Sequence, residues 1–293
     1  PMFPKAPASR IRAPSRPRRS DPPRPVLLTV TVGNTNIQVG VFAGSGDHAE
    51  LVRDWRIHTQ PHLTADEFAL QLRGLLGPDI EQVTAVAGLS TVPSLLREMR
   101  EMAPRYFGNG PHVLLEPGVR TGVPLLVDNP KEVGTDRVAH CLAAHENYPG
   151  GPCIVVAFGT ATVIDAVSAK GEFLGGVIAP GVDLAVEALS EHTVTVRKVE
   201  LMPPRSVIGK NTVEALQSGI IYGFAGQVDG LVQRIRDDVP GFDGDDVTVV
   251  ATGYLAPLMV DQCRTITAHH PYLALDGLRR VYERSRRAGR GRQ

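Results

Sequence analysis

Apolar and polar positions follow two rhythms along this chain, and the switches between them mark its elements. Val26, Leu27, Leu28, Val30 and Val32 form a run dense enough for a buried strand. Further strands are predicted at 37–42 and 50–57. The period then lengthens: Phe68, Leu70, Leu72, Leu75 and Leu76 give a helix over 64–76 its core face. Thr64 is placed to cap that helix, with Asp66 and Glu67 in its first turn. Val83 to Leu89 reads as another buried strand, followed by a helix over 93–103 and a short strand at 112–115. A helix containing Asp136 near its start runs to about 147. The second half opens with a strand at 153–158, a second strand after 162 and a third at 172–178. A helix at 182–190, an irregular connection over 191–211 and a long helix from Thr212 to about 238 follow. A strand at 247–251 and a last helix near Asp276 complete the pattern. The long helix contains Gly219, Gly223, Gly226 and Gly230. Glycine is costly inside a helix, so these positions imply close packing against another helix. Strands alternating with helices in two related halves predict an α/β fold with helices flanking mixed sheets.

One stretch occurs twice. Thr31-Val32-Gly33-Asn34-Thr35-Asn36 and Ala157-Phe158-Gly159-Thr160-Ala161-Thr162 share one grammar: an apolar strand, a glycine, small polar residues, then a second strand. Alone, such a stretch is more often an ordinary β-hairpin. The copy changes that reading, because it implies a duplicated unit with one small-residue turn in each half. Backbone N–H groups and short hydroxyl or amide side chains at such turns suit phosphate. Two of them facing each other across a cleft would grip one nucleotide.

Composition adds limits. The 293 residues accommodate two domains, and 42% hydrophobic content is ample for buried cores. No apolar run reaches the roughly 18 residues of a membrane span. The Pro- and Arg-rich N-terminus has no apolar signal core. Cys141, Cys153 and Cys263 are odd in number and lack a CxxC spacing, which argues for small buried residues in a reducing, cytoplasmic setting. Net charge is zero, yet Arg concentrates at both ends. Residues 1–25 and 279–293 read as disordered basic tails around an acidic body that is unsuited to bind nucleic acid in bulk.

The order of small motifs resembles the type III pantothenate kinases, within the acetate and sugar kinase, Hsc70 and actin superfamily. The resemblance runs over about 26–278. It rests on Gly33-Asn34-Thr35-Asn36, Gly118-Val119-Arg120-Thr121-Gly122, Gly134-Thr135-Asp136-Arg137, Phe158-Gly159-Thr160-Ala161-Thr162, Gly175-Gly176 with Pro180-Gly181, Gly209-Lys210-Asn211-Thr212, Ser218-Gly219-Ile220-Ile221-Tyr222-Gly223 and Ala251-Thr252-Gly253. It implies two ribonuclease-H-like domains, at 26–150 and 151–278, and ATP-dependent phosphorylation of pantothenate, the first step to coenzyme A. Asp136 is then the general base. Gly134, Thr135 and Arg137 meet pantothenate, with Thr193 reaching the partner subunit's pocket in a homodimer. The turns 33–36 and 159–162 hold ATP phosphates. Mg²⁺ and a monovalent cation, K⁺ or NH₄⁺, are implied as well.

The sequence departs from that pattern at Thr31 and Ala157, where the family carries aspartates that organise the metal. Mg²⁺ is usually held through one or two carboxylates plus phosphates, so both changes weaken metal placement. Tyr254 replaces a glycine and brings a ring toward the expected adenosine site. His140, Val163, Glu116 and Val196-Arg197 are further changes. Two other readings therefore remain beside pantothenate kinase: a non-catalytic relative that binds nucleotide or a pantothenate-like ligand, and a kinase of another small hydroxy compound.

Overall fold

The computed structural model describes residues 26–108, 110–192 and 199–290. The basic segment 1–25 and Thr193 lie outside the described residues. The first half runs β1 (Val26–Val32), β2 (Asn36–Ala43), β3 (Glu50–His58), α1 (Ala65–Leu76), β4 (Val83–Ser90), α2 (Pro93–Tyr106), β5 (His112–Leu115) and α3 (Thr135–Asn147). The second runs β6 (Cys153–Phe158), β7 (Ala161–Val167), β8 (Phe173–Pro180), α4 (Val182–His192), α5 (Thr212–Asp238), β9 (Thr248–Thr252), α6 (Ala256–Met259), β10 (Ala268–His269) and α7 (Leu273–Arg290). Thr64 and Glu67 form the capping box that starts α1.

Two five-stranded sheets result, ordered β3-β2-β1-β4-β5 and β10-β9-β6-β7-β8. Each has three antiparallel strands followed by two parallel ones. The internal repeat seen in the turns is thus a repeat of whole sheets.

The cores stack in layers. Leu28, Val30 and Val32 turn one face of the first sheet toward Phe68 and Leu72 of α1 and Leu95 and Met99 of α2. Leu27, Ala87 and Leu89 turn the other face toward Ala139 and Leu142 of α3 and Leu275, Leu278 and Val281 of α7. Val138 and Cys141 on the far side of α3 meet Cys153 and Val155 of the second sheet. That sheet's outer face buries Ile154, Val156 and Phe158 against α4, α5 and α6. Helix α3 therefore lies between the two sheets. Cys141, Cys153 and Cys263 are all free and buried, as small core residues.

Two expectations are corrected. Composition made 279–293 a disordered tail, yet α7 extends to Arg290. Leu273, Leu275, Leu278, Val281 and Tyr282 give it a buried stripe, and its arginines are spent on partners. Arg280 pairs with Asp276 and Glu146, Arg279 with Asp276 and Glu283, and Arg284 with Glu146. The second correction concerns α5. Gly219, Gly223, Gly226 and Gly230 meet nothing among the described residues; an added Cβ at each would face open space. They form a smooth exposed stripe on a 27-residue helix.

The close approach of α7 to α3 occurs at Gly277, where a Cβ would collide with the Ala139 carbonyl oxygen. Alanine is normally better than glycine in a helix by about 1 kcal/mol. Here Gly277→Ala is expected instead to destabilise the protein by about 1–3 kcal/mol, as overpacking does, measured by urea unfolding. An increase in stability would contradict the packing described.

Candidate active site

Both candidate turns are tight hairpin ends closed by the glycine N–H, the first one residue longer than the second. The Gly33 N–H donates to the Asn36 carbonyl at 2.9 Å, and the Gly159 N–H donates to the Ala161 carbonyl at 3.0 Å. Strand pairing starts early, so Asn36 already belongs to β2, and Ala161 and Thr162 to β7. The tips that project are Gly33-Asn34-Thr35 and Gly159-Thr160. Thr59 braces the first, its hydroxyl donating to the Gly33 carbonyl at 2.7 Å. Gly181 braces the second, its N–H donating to the Thr160 carbonyl at 3.0 Å. A side chain at 181 would strike the Gly159 and Thr160 carbonyls, which explains a glycine there.

The tips meet. The hydroxyl oxygens of Thr35 and Thr160 stand 2.7 Å apart. Thr162 is not part of this meeting. It pairs with Phe158 on the face toward α5, is buried, and its hydroxyl has no hydrogen-bond partner among the described residues.

Thr31 and Ala157 occupy equivalent places. Thr31 pairs with Leu89, which packs on α3 and α7. Ala157 follows Val155 on the face that packs on α3. Both positions therefore face the helix layer that carries Asp136.

Asp136 lies in the first turn of α3, a position that suits a carboxylate. A Cβ on Gly134 would come within 2.6 Å of its Oδ1, so the glycine makes room for the carboxylate. Thr135 beside it is buried. Arg137 does not pair with Asp136, as adjacency suggested. Its Nε and Nη2 reach Oδ1 of Asp165 at 3.0 and 2.5 Å, and its guanidinium lies 5.1 Å from the Phe173 ring centroid. Burial pushes the Asp165 carboxyl above its ordinary range, against the pull of Arg137. Asp165 was missed in the sequence reading; its signal was a lone charge inside Val163-Ile164-Asp165-Ala166-Val167. One turn beyond Asp136, burial pulls the His140 imidazole down, only partly offset by Asp136, which keeps the ring neutral at pH 7. Tyr254 stands at the cleft rim, its hydroxyl donating to Asp183 Oδ2 at 2.9 Å.

The arrangement of duplicated hairpins over one helix-borne carboxylate has close relatives. The family model of type III pantothenate kinase matches residues 27–234. The chain is 64% identical over 265 residues to the type III pantothenate kinase of Nocardia farcinica, covering 90% of this chain and all of that one. It is 61% identical over 260 residues to that of Rhodococcus jostii, covering 89% and 96%. The chain belongs to the type III pantothenate kinase family. Among solved structures, the activator of 2-hydroxyisocaproyl-CoA dehydratase from Clostridium difficile, with bound ADPNP, superposes with a TM-score of 0.53 at 11% identity, covering 92% of this chain and 98% of that one. This likeness shows the fold of this kinase-family chain: two ribonuclease-H-like units with helix-flanked mixed sheets.

The Arg137–Asp165 pair pins the start of α3 to β7. Asp165→Ala leaves a buried guanidinium without its counter-charge, which is expected to cost about 3–5 kcal/mol. Replacing both partners, as Arg137→Met with Asp165→Leu, is expected to recover most of that loss. A double-variant loss equal to the sum of the two single-variant losses, in denaturant melts, would show that the pair contributes nothing as a pair.

Proposed function

We propose that this protein phosphorylates pantothenate with ATP, yielding 4'-phosphopantothenate at the start of coenzyme A synthesis in the cytoplasm. The observation that carries the reading is the tip-to-tip meeting of the duplicated hairpins at Thr35 and Thr160. The membership of the family supports the choice of substrate. No helix among the described residues is long and apolar enough to cross a membrane.

In this reading Gly33, Asn34, Thr35 and Asn36 on one side, and Gly159, Thr160 and Ala161 on the other, take the nucleotide phosphates. Thr162 stays with that turn as a buried support. Asp136 accepts the proton of the pantothenate hydroxyl as its oxygen attacks the γ-phosphorus in line. Phosphoryl transfer asks mainly for positioning and charge stabilisation. Gly134 and Thr135 shape the acceptor pocket, and Thr193 completes it from a partner subunit. Arg137 fixes the first turn of α3 through Asp165. Its Nη1, which Asp165 does not engage, is the edge offered to the pantothenate carboxylate.

The residues present do not make a carboxylate site for a resident Mg²⁺. No group of three or more His, Cys, Asp or Glu side chains comes together among the described residues. Thr31 and Ala157 supply one hydroxyl and nothing, Asp165 is committed to Arg137, and Asp183 to Tyr254. That donor set supports a second reading, a relative that binds nucleotide and pantothenate with little turnover.

One assay separates the two. Pantothenate-dependent ADP release is measured with MgATP and K⁺. For a working kinase, Asp136→Asn is expected to lower kcat by about 10²–10⁴. For the second reading, the parent turns over no faster than Asp136→Asn, and Thr31→Asp with Ala157→Asp creates activity. Neither behaviour, with a kinase active on another hydroxy compound instead, would reject both.

We further propose a homodimer built on the exposed face of α5. It presents the glycine stripe and Val213, with Leu184 of α4 and Val207 and Ile208 of the connection before it, these four residues each 46–68% exposed. Smooth glycine ridges let helices approach closely, and exposed apolar residues beside such a ridge suit an interface. Sedimentation is expected to give a dimer, and Gly223→Arg with Gly226→Glu to give monomers. A parent that sediments as a monomer at tens of micromolar would overturn it.

A further inference from the structure

Two neighbouring rows of side chains cross the second sheet on one face. In the first, Val155 of β6 pairs with Asp165 of β7, and Asp165 with Gly176 of β8. In the second, two residues along each strand, Ala157 pairs with Val163, and Val163 with Ile178. Paired residues share a face, and so do residues two apart on a strand. The first row is covered: Val155 is buried against α3, and the Arg137 Nη2 lies 3.0 Å from where a Cβ on Gly176 would stand. The second is left largely open among the described residues. Ala157 and Val163 are half-buried, and Ile178 is 64% exposed.

A lone exposed isoleucine would mean little. This one ends an apolar strip that starts two residues before Gly159 of the second hairpin and runs beside a guanidinium. Ala157 and Val163 are both departures from the family pattern, so the strip is apolar where that pattern is polar. An apolar strip with a cation at its side suits a ligand that carries a branched alkyl group and, some way off, an anion. The separation follows from the sheet: two residues of strand place Ile178 about 7 Å from the Gly176 position that Arg137 overlies.

We propose that Ala157, Val163 and Ile178 seat the two methyl groups of pantothenate and so set the acceptor specificity of this chain. The inference rests on the pantothenate reading of the site. Those methyls stand on the carbon beside the reactive CH₂OH group, and the carboxylate lies at the other end of the molecule. In the extended molecule the methyl-bearing carbon and the carboxylate carbon are about 7 Å apart. That span lets the methyls rest on the strip while the carboxylate reaches Arg137. The seat also fixes the CH₂OH group from behind, because rotation about its carbon would lift a methyl off the strip.

Calorimetric titration in the presence of MgADP compares pantothenate with its analogue lacking both methyl groups. Burying one methyl is worth about fourfold in affinity, so the parent is expected to bind pantothenate about fifteenfold tighter than the analogue. Ile178→Ser and Val163→Thr are each expected to cut that preference to about fourfold, by weakening pantothenate and leaving the analogue within about twofold of its parent affinity. Neither position is buried, and unchanged thermal melts check that both variants fold. A parent without preference, or a full preference kept in both variants, would overturn the inference and leave the pantothenate reading standing. An equal loss for both ligands, with dissociation of a dimer in sedimentation, would also overturn it and give the strip to a contact between copies. No binding of pantothenate to the parent would bring down the reading and the inference together.

Discussion

Everything at this site hangs on a helix with two buried faces. Helix α3 has Ala139 and Leu142 against the first sheet and Val138 and Cys141 against the second. Apolar packing on opposite faces fixes its axis, but slides along that axis cost little. The ionic contacts at its two ends remove that freedom. At the start, Arg137 grips Asp165 of β7. At the far end, Glu146 and Asn147 are held by Arg280 and Arg284 of α7. Burying such charges is expensive unless both partners and their remaining donors are satisfied. Here the geometry gives direction as well as charge. Asp136 inherits its place from these anchors: a carboxylate adjacent to a pinned arginine on a helix that cannot shift.

The fold was largely legible because its signals are local. Runs such as Val26–Val32 and the Thr64 capping box declare their elements within a few residues. The repeated glycine turns announced the symmetry between the two halves, and the likeness to the family supplied the chemistry. What stayed hidden depends on distant partners. Asp165 reads as an anomaly in an apolar strand until Arg137 arrives from another element. Arg279, Arg280 and Arg284 look like a solvated basic tail by composition, because their acidic partners include Glu146, more than a hundred residues earlier. The α5 glycines suggested a helix partner; among the described residues there is none, and only the surface they occupy gives them meaning. Tyr254 was visible as a departure, but its contacts with Asp183 and Arg56 come from separate segments.

The departures at Thr31 and Ala157 fall at matching places in two halves related by an internal repeat, on faces turned toward the same helix. Loss at one site alone would leave the other half to compensate. The rest of the chemistry-bearing set is intact in position, with Asp136 at the helix start and both hairpins braced.

The placement of α7 has a consequence for how the chain is made. Leu27, Phe42, Ala87 and Leu89 belong to its opening strands, yet their cover comes in part from Leu275, Leu278 and Val281. During synthesis the first sheet can pair its strands and collect α1 and α2 early. One of its two faces then waits, in part uncovered, until Leu275, Leu278 and Val281 have left the ribosome. The first half is thus a structure begun early and covered only when α7 arrives.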